Sequence, residues 1–161
     1  IIDTISAQFP DVATTDDYRT NRENLPLPAV LVELEDLVAA PDEDPGTGQL
    51  AMRSRWVARV IIGFRTPEAE REVRKLACAL GAFTRLQRWG LPVGPAQVTV
   101  IGPDEFDPAA EQWVVWSVEW TQIVHLGETQ WINDGAIPTD VRLSWAPDIG
   151  PDHEGDYEVL A

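Results

Sequence analysis

Trp113-Val-Val-Trp-Ser-Val-Glu-Trp-Thr-Gln-Ile-Val-His-Leu126 is the stretch on which the fold turns. Val114, Trp116, Val118, Trp120, Val124 and Leu126 recur on even positions, with Ser117, Glu119, Thr121 and His125 between them. Period two is the signature of a strand with one face in a core. Upstream, residues 66–89 change period. Ala69, Val73, Leu76, Leu80, Phe83 and Leu86 advance by three or four, the apolar stripe of an amphipathic helix. Thr66 is placed as N-cap, Pro67 as first helical residue and Gly90 as the stop.

The same reasoning extends toward the N-terminus. Residues 28–38 alternate, with Val30, Val32 and Leu34 opposite Leu31, Glu33 and Glu35. Residues 50–64 alternate more cleanly. Met52, Trp56, Ala58, Val60, Ile62 and Phe64 share one face; Arg53, Arg55 and Arg59 share the other. Residues 41–48, rich in Pro, Gly and Asp, read as the turn between them. A short strand is expected at 96–101, a short helix at 1–9 and a loop at 11–27. The expected fold is α+β: a mostly antiparallel sheet of about four strands with helices on one face. Residues 1–126 form this core. Residues 127–161 show no helix pattern and read as an extended C-terminal arm, with one β segment at 140–145.

Charge is concentrated in that arm. It holds Glu128, Asp134, Asp140, Asp148, Asp152, Glu154, Asp156 and Glu158 against Arg142 alone, a net −7 of the chain's −15. So acidic a chain is a poor ligand for phosphate backbones, though it suits a wall past which DNA slides without adhering. No apolar run is long enough for a membrane span. The N-terminal Ile-Ile-Asp-Thr-Ile lacks a basic segment and a cleavage site, so no secretory signal is expected. Eleven of the twelve basic residues are Arg. That bias fits GC-rich coding, and it also fits protein interfaces.

The residues offer little chemistry. No phosphate-binding, dinucleotide-binding, zinc-protease or serine-hydrolase motif occurs. One Cys and two His are too few for a structural zinc site, and the carboxylates at 42–44 lack calcium-loop spacing. Neither metal nor cofactor is expected. Cys78, between two alanines of the helix, is expected to be a small packed thiol, and His125 a structural side chain. Trp131 and Trp145 are different: the arm holds too little sequence to bury them alone, so they are expected to anchor in a pocket, on their own domain or on a neighbour. The candidate interface residues are therefore Arg53, Arg55, Arg59, Glu119, Arg71, Arg74, Trp131 and Trp145. The sheet face bearing the first four is either solvated or covered by another copy.

Three stretches resemble a known family. They are Pro28-Ala-Val-Leu-Val-Glu-Leu34; Arg59-Val-Ile-Ile-Gly63 with the helix from Glu68 to Trp89; and Val141-Arg-Leu-Ser-Trp-Ala-Pro-Asp-Ile-Gly150 with His153-Glu-Gly-Asp-Tyr157. Together with the element order, they resemble the tail terminator (tail completion) proteins of tailed bacteriophages, of the Mu type found with contractile tails. The resemblance implies a structural virion protein rather than an enzyme. It implies a homo-oligomeric ring, a hexamer, that caps the tail tube and joins it to the neck or head-completion protein. The sheath is a further partner, and DNA would pass through the lumen without specific binding. The location implied is the virion tail, assembled in the host cytoplasm. A neck or head–tail connector protein is the alternative. An enzyme with carboxylates at Asp104, Glu105 and Glu119 is a more distant one.

Overall fold

In a computed structural model, residues 1–18, 25–104, 113–130 and 142–159 are described. Two compact units divide the chain, Ile1–Thr129 and Gln130–Ala161.

The first unit is built on its alternating stretches. β2 (Ala29–Ala39), β3 (Leu50–Gly63) and β5 (Trp113–Leu126) are long antiparallel neighbours. β3 and β5 pair without interruption from Leu50↔Leu126 to Gly63↔Trp113, so the even face of one continues the even face of the other. β4 (Gln97–Pro103) pairs antiparallel with β5 and forms one edge. A bulge between Leu34 and Asp36 shifts the β2–β3 register, yet returns Asp36 opposite Arg55.

The other edge departs from the sequence reading. Residues 11–27, expected as loop, contain β1 (Thr14–Asp17), which runs parallel to β2 from Thr14↔Ala29 to Asp17↔Val32. The sheet is therefore five-stranded and mixed, in the order β1-β2-β3-β5-β4, rather than four-stranded and mostly antiparallel. Thr-Thr-Asp-Asp carries no apolar alternation to detect. A short edge strand needs only backbone bonds to its neighbour, and the Tyr18 amide continues the ladder onto the Val32 carbonyl.

Two helices, α1 (Ile2–Gln8) and α2 (Ala69–Thr84), contribute to the core on the even face. Ile5, Val73, Ala77 and Leu80 meet Val30, Val60, Val118 and Trp120 there, all essentially inaccessible. Each large side chain so buried contributes about 1.5–3 kcal/mol. Trp120 lies parallel to Trp56 at 6.2 Å between ring centroids and tilted against Trp89 at 5.9 Å. Gly81 lets α2 approach the sheet, since a Cβ there would run into the Ile101 side chain.

α2 is shorter than expected at both ends. Thr66 does not cap it. The Thr66 carbonyl instead accepts from the Ala69 amide in a preceding turn, and Glu68 stands in the left-handed region at φ 54°. At the other end the helix stops at Thr84, six residues before Gly90. The Leu86 amide donates to the Ala96 carbonyl and the Ala96 amide to the Gln87 carbonyl. That local ladder replaces helical bonding and carries the Trp89 indole into the core, where it is 9% exposed.

The second unit contains β6 (Arg142–Leu143) antiparallel to β7 (Glu158–Val159), with a 3-10 segment, Pro151–Asp156, between them. The Tyr157 hydroxyl accepts the Gly150 amide at 2.9 Å.

Candidate interaction site

The odd face of the sheet carries a small apolar cluster and a larger network of charge. Ala29, Leu31 and Ile61 are buried at one end, packed with Leu27, Trp113 and Val115. Beside them β3 places Arg59, Arg55 and Arg53 at odd positions, with Val57 between the first two, and β2 supplies acids across from them.

Arg59 is the centre of the network. Its guanidinium lies 2.6 Å from Glu33, 2.9 Å from Asp104 and 3.7 Å from Glu35, and its side chain is 10% exposed. The Tyr18 ring stacks on it, with the cation 4.8 Å from the ring centroid. Arg55 contacts Glu35 at 3.0 Å and Asp36 at 3.1 Å. The hydrogen bond that Arg55 donates to Asp36, with the negative charges of Glu35, Asp36 and Glu119, raises the Arg55 pKa further above its ordinary value. Arg53 is more loosely held, 3.8 Å from Glu43. Glu119 stands opposite Val57 on β5 and is half-buried.

Arg53, Arg55, Arg59 and Glu119 thus share one face, as their parity requires. Arg59 is neutralised within its own chain, because Glu33 from the regular part of β2, Glu35 from the bulge and Asp104 just past β4 converge on it. Arg71 and Arg74 are elsewhere, on the outer side of α2. Arg71 pairs with Glu68 at 2.7 Å, Arg74 with Glu70 at 3.1 Å and Lys75 with Glu72 at 2.6 Å. Arg74 also lies 5.8 Å from the Trp116 ring centroid. These pairs are well exposed, and each contributes only about 0.3–0.5 kcal/mol to the helix.

Trp131 lies outside the described residues. Trp145 is 81% exposed, with Leu143 at 41% and Ile149 at 55% nearby in the chain. A turn between the Trp145 carbonyl and the Asp148 amide, with Ser144 bonded to the Asp148 carbonyl, presents that segment. Cys78, expected to be packed, faces solvent on α2 instead, because the buried stripe passes through Ala77. His125 lines a polar cavity of about 340 Å³ with Arg53, Glu43 and Thr121, and its Nε2 is 3.2 Å from the Glu43 carbonyl.

Sequence reasoning missed Gln122. It is 4% exposed on the apolar face of β5. Its amide donates to the carbonyls of Gln87 at 3.0 Å and Gly94 at 2.7 Å, and accepts from the Trp89 indole at 3.0 Å. Gln122 therefore pins the segment that follows α2 onto the sheet. The signal was present: a polar residue between Trp120 and Val124 in an apolar register must have its hydrogen bonds met inside.

Among the described residues no group of three or more His, Cys, Asp or Glu is placed to hold a metal ion, and no helix is long and apolar enough to cross a membrane. No protein-family profile matches this sequence, and no curated protein matches it either.

Proposed function

We propose that this protein is a structural subunit of a phage-type tail, a terminator that forms a ring on the last layer of the tail tube and joins it to the neck. The quoted sequence resemblance supplies the identity of the particle. The observation that carries the reading is Trp145, 81% exposed between exposed Leu143 and Ile149. A chain of 32 residues has too little surface of its own to bury an indole, and aromatic anchors of this kind are spent on partner pockets. In this reading the C-terminal unit acts as an arm that holds a neighbour, the tube or the sheath. The virion tail is then its location.

Mixing the purified protein with tail tubes tests it. Negative-stain images should show tube ends capped by protein, and added tube subunits should fail to extend capped ends. Tubes that stay uncapped at saturating protein would contradict the proposal. Binding at the portal-proximal side alone would favour a neck connector instead.

A further inference from the structure

The single sheet of the first unit separates two surfaces of opposite sign. Residues 65–88, which include α2, carry six basic side chains (Arg65, Arg71, Arg74, Lys75, Arg85, Arg88) and three acidic ones, a net +3 in a chain of −15. The three acids are each bonded to Arg71, Arg74 or Lys75. Arg65 and Arg85 are exposed and form no ion pair among the described residues.

The odd face of the sheet is the reverse. Glu33, Glu35, Asp36, Glu43, Asp104 and Glu119 surround Arg53, Arg55 and Arg59, a net −3. Apart from Arg59 and Asp104, the side chains in its ion pairs are 27–49% exposed, so their charge reaches solvent.

We infer that the α2 surface of one copy docks on the odd sheet face of the next, head to tail. The occupant is a second copy because the two patches are opposite in sign and equal in net charge, +3 against −3. Two chains of −15 repel each other overall, and like faces meeting would add to that repulsion. The patches lie on opposite sides of one sheet, so the contact is heterologous and repeats around a ring or along a fibre. This inference rests on the ring reading above and names its contact. Arg59 already has its partners at home, so the exposed charges around it carry the recognition.

Charge swapping tests it by sedimentation velocity. In 50 mM NaCl wild type should sediment as an oligomer. In 0.5 M NaCl its assembly should weaken at least tenfold, because exposed charges are screened. Arg65→Glu with Arg85→Glu should give a monomer, as should Glu119→Lys with Glu43→Lys. Mixed one to one, the two variants should reassemble with equal stoichiometry, since each reversed patch then meets its complement. The neutral pairs Arg65→Gln/Arg85→Gln and Glu119→Gln/Glu43→Gln should each weaken assembly at least threefold, and they serve where a reversal fails to fold. A wild type that is monomeric at low salt would overturn the inference, as would variants that assemble unmixed or a mixture that stays monomeric. The two readings fail separately. Oligomers that never bind a tail tube remove the tail role and leave the contact; monomers that cap tubes do the opposite.

Discussion

Replacing Gln122 should loosen one particular segment. Gln122→Leu keeps the volume and removes all three side-chain hydrogen bonds. The carbonyls of Gln87 and Gly94 and the indole N–H of Trp89 then lose partners at 3.0, 2.7 and 3.0 Å. A buried polar group left unpaired costs about 1–3 kcal/mol. Residues 85–96 have exposed members such as Leu91, at 55%, so water can reach part of the opened site. The Gln87 carbonyl keeps the Ala96 amide, so about 1 kcal/mol for each of the other two groups, or about 2 kcal/mol in all, is the expected loss. For a chain of this size that lowers the melting temperature by about 4–8 °C. Tryptophan fluorescence should follow it, since Trp89 sits against Trp120. The amides of Leu86, Gly94 and Ala96 should exchange at least tenfold faster than those of β3. Gln122→Glu adds a pH test. Burial and the two facing carbonyls raise the folded-state pKa of the introduced carboxyl above its unfolded value of about 4.3. Its folded state is therefore secure below that pH and weakens as pH rises through the folded pKa. A melting temperature within about 2 °C of wild type for Gln122→Leu would refute the clamp.

Three further outcomes follow from the same geometry. Arg59→Met leaves Glu33 and Asp104 without their cation and Glu35 with Arg55 alone, and should cost about 2–4 kcal/mol by urea denaturation; Arg59→Lys should recover less than half of that, because one ammonium cannot fork to several carboxylates. Leu86→Asn should raise the melting temperature by about 2–4 °C, since Leu86 holds φ 67° while 56% exposed and asparagine tolerates that region about 1 kcal/mol better. Trp145→Ala should change stability by less than about 0.5 kcal/mol yet weaken tube capping at least tenfold, read from the protein concentration needed to cap half the ends.

The long strands and α2 were legible because burial imposes a period on sequence, and the two faces of β3 and β5 followed from parity, while the bulge in β2 moved Asp36 onto the odd face. β1 was not, since Thr14–Asp17 pairs through its backbone and shows no period. The end of α2 was misplaced for a related reason. Phe83 and Leu86 continue the helical spacing, but the contacts that redirect the chain, Leu86 to Ala96 and Trp89 to Gln122, come from residues distant in sequence. The Arg side chains of β3 were placed correctly on one face, while the identity of their partners depended on the bulge in β2 and the end of β4, which no local pattern encodes. Trp145 was expected to anchor in a pocket and is instead 81% exposed; the brevity of its surroundings gave the lack of local burial and nothing about what covers it.

Native mass spectrometry of the purified chain at low ionic strength tests the ring most directly. A closed assembly of one stoichiometry is the predicted result, with six copies of the 17.9 kDa chain giving about 107 kDa. A spectrum holding only the 17.9 kDa species at tens of micromolar, with the fold intact by circular dichroism, would contradict it.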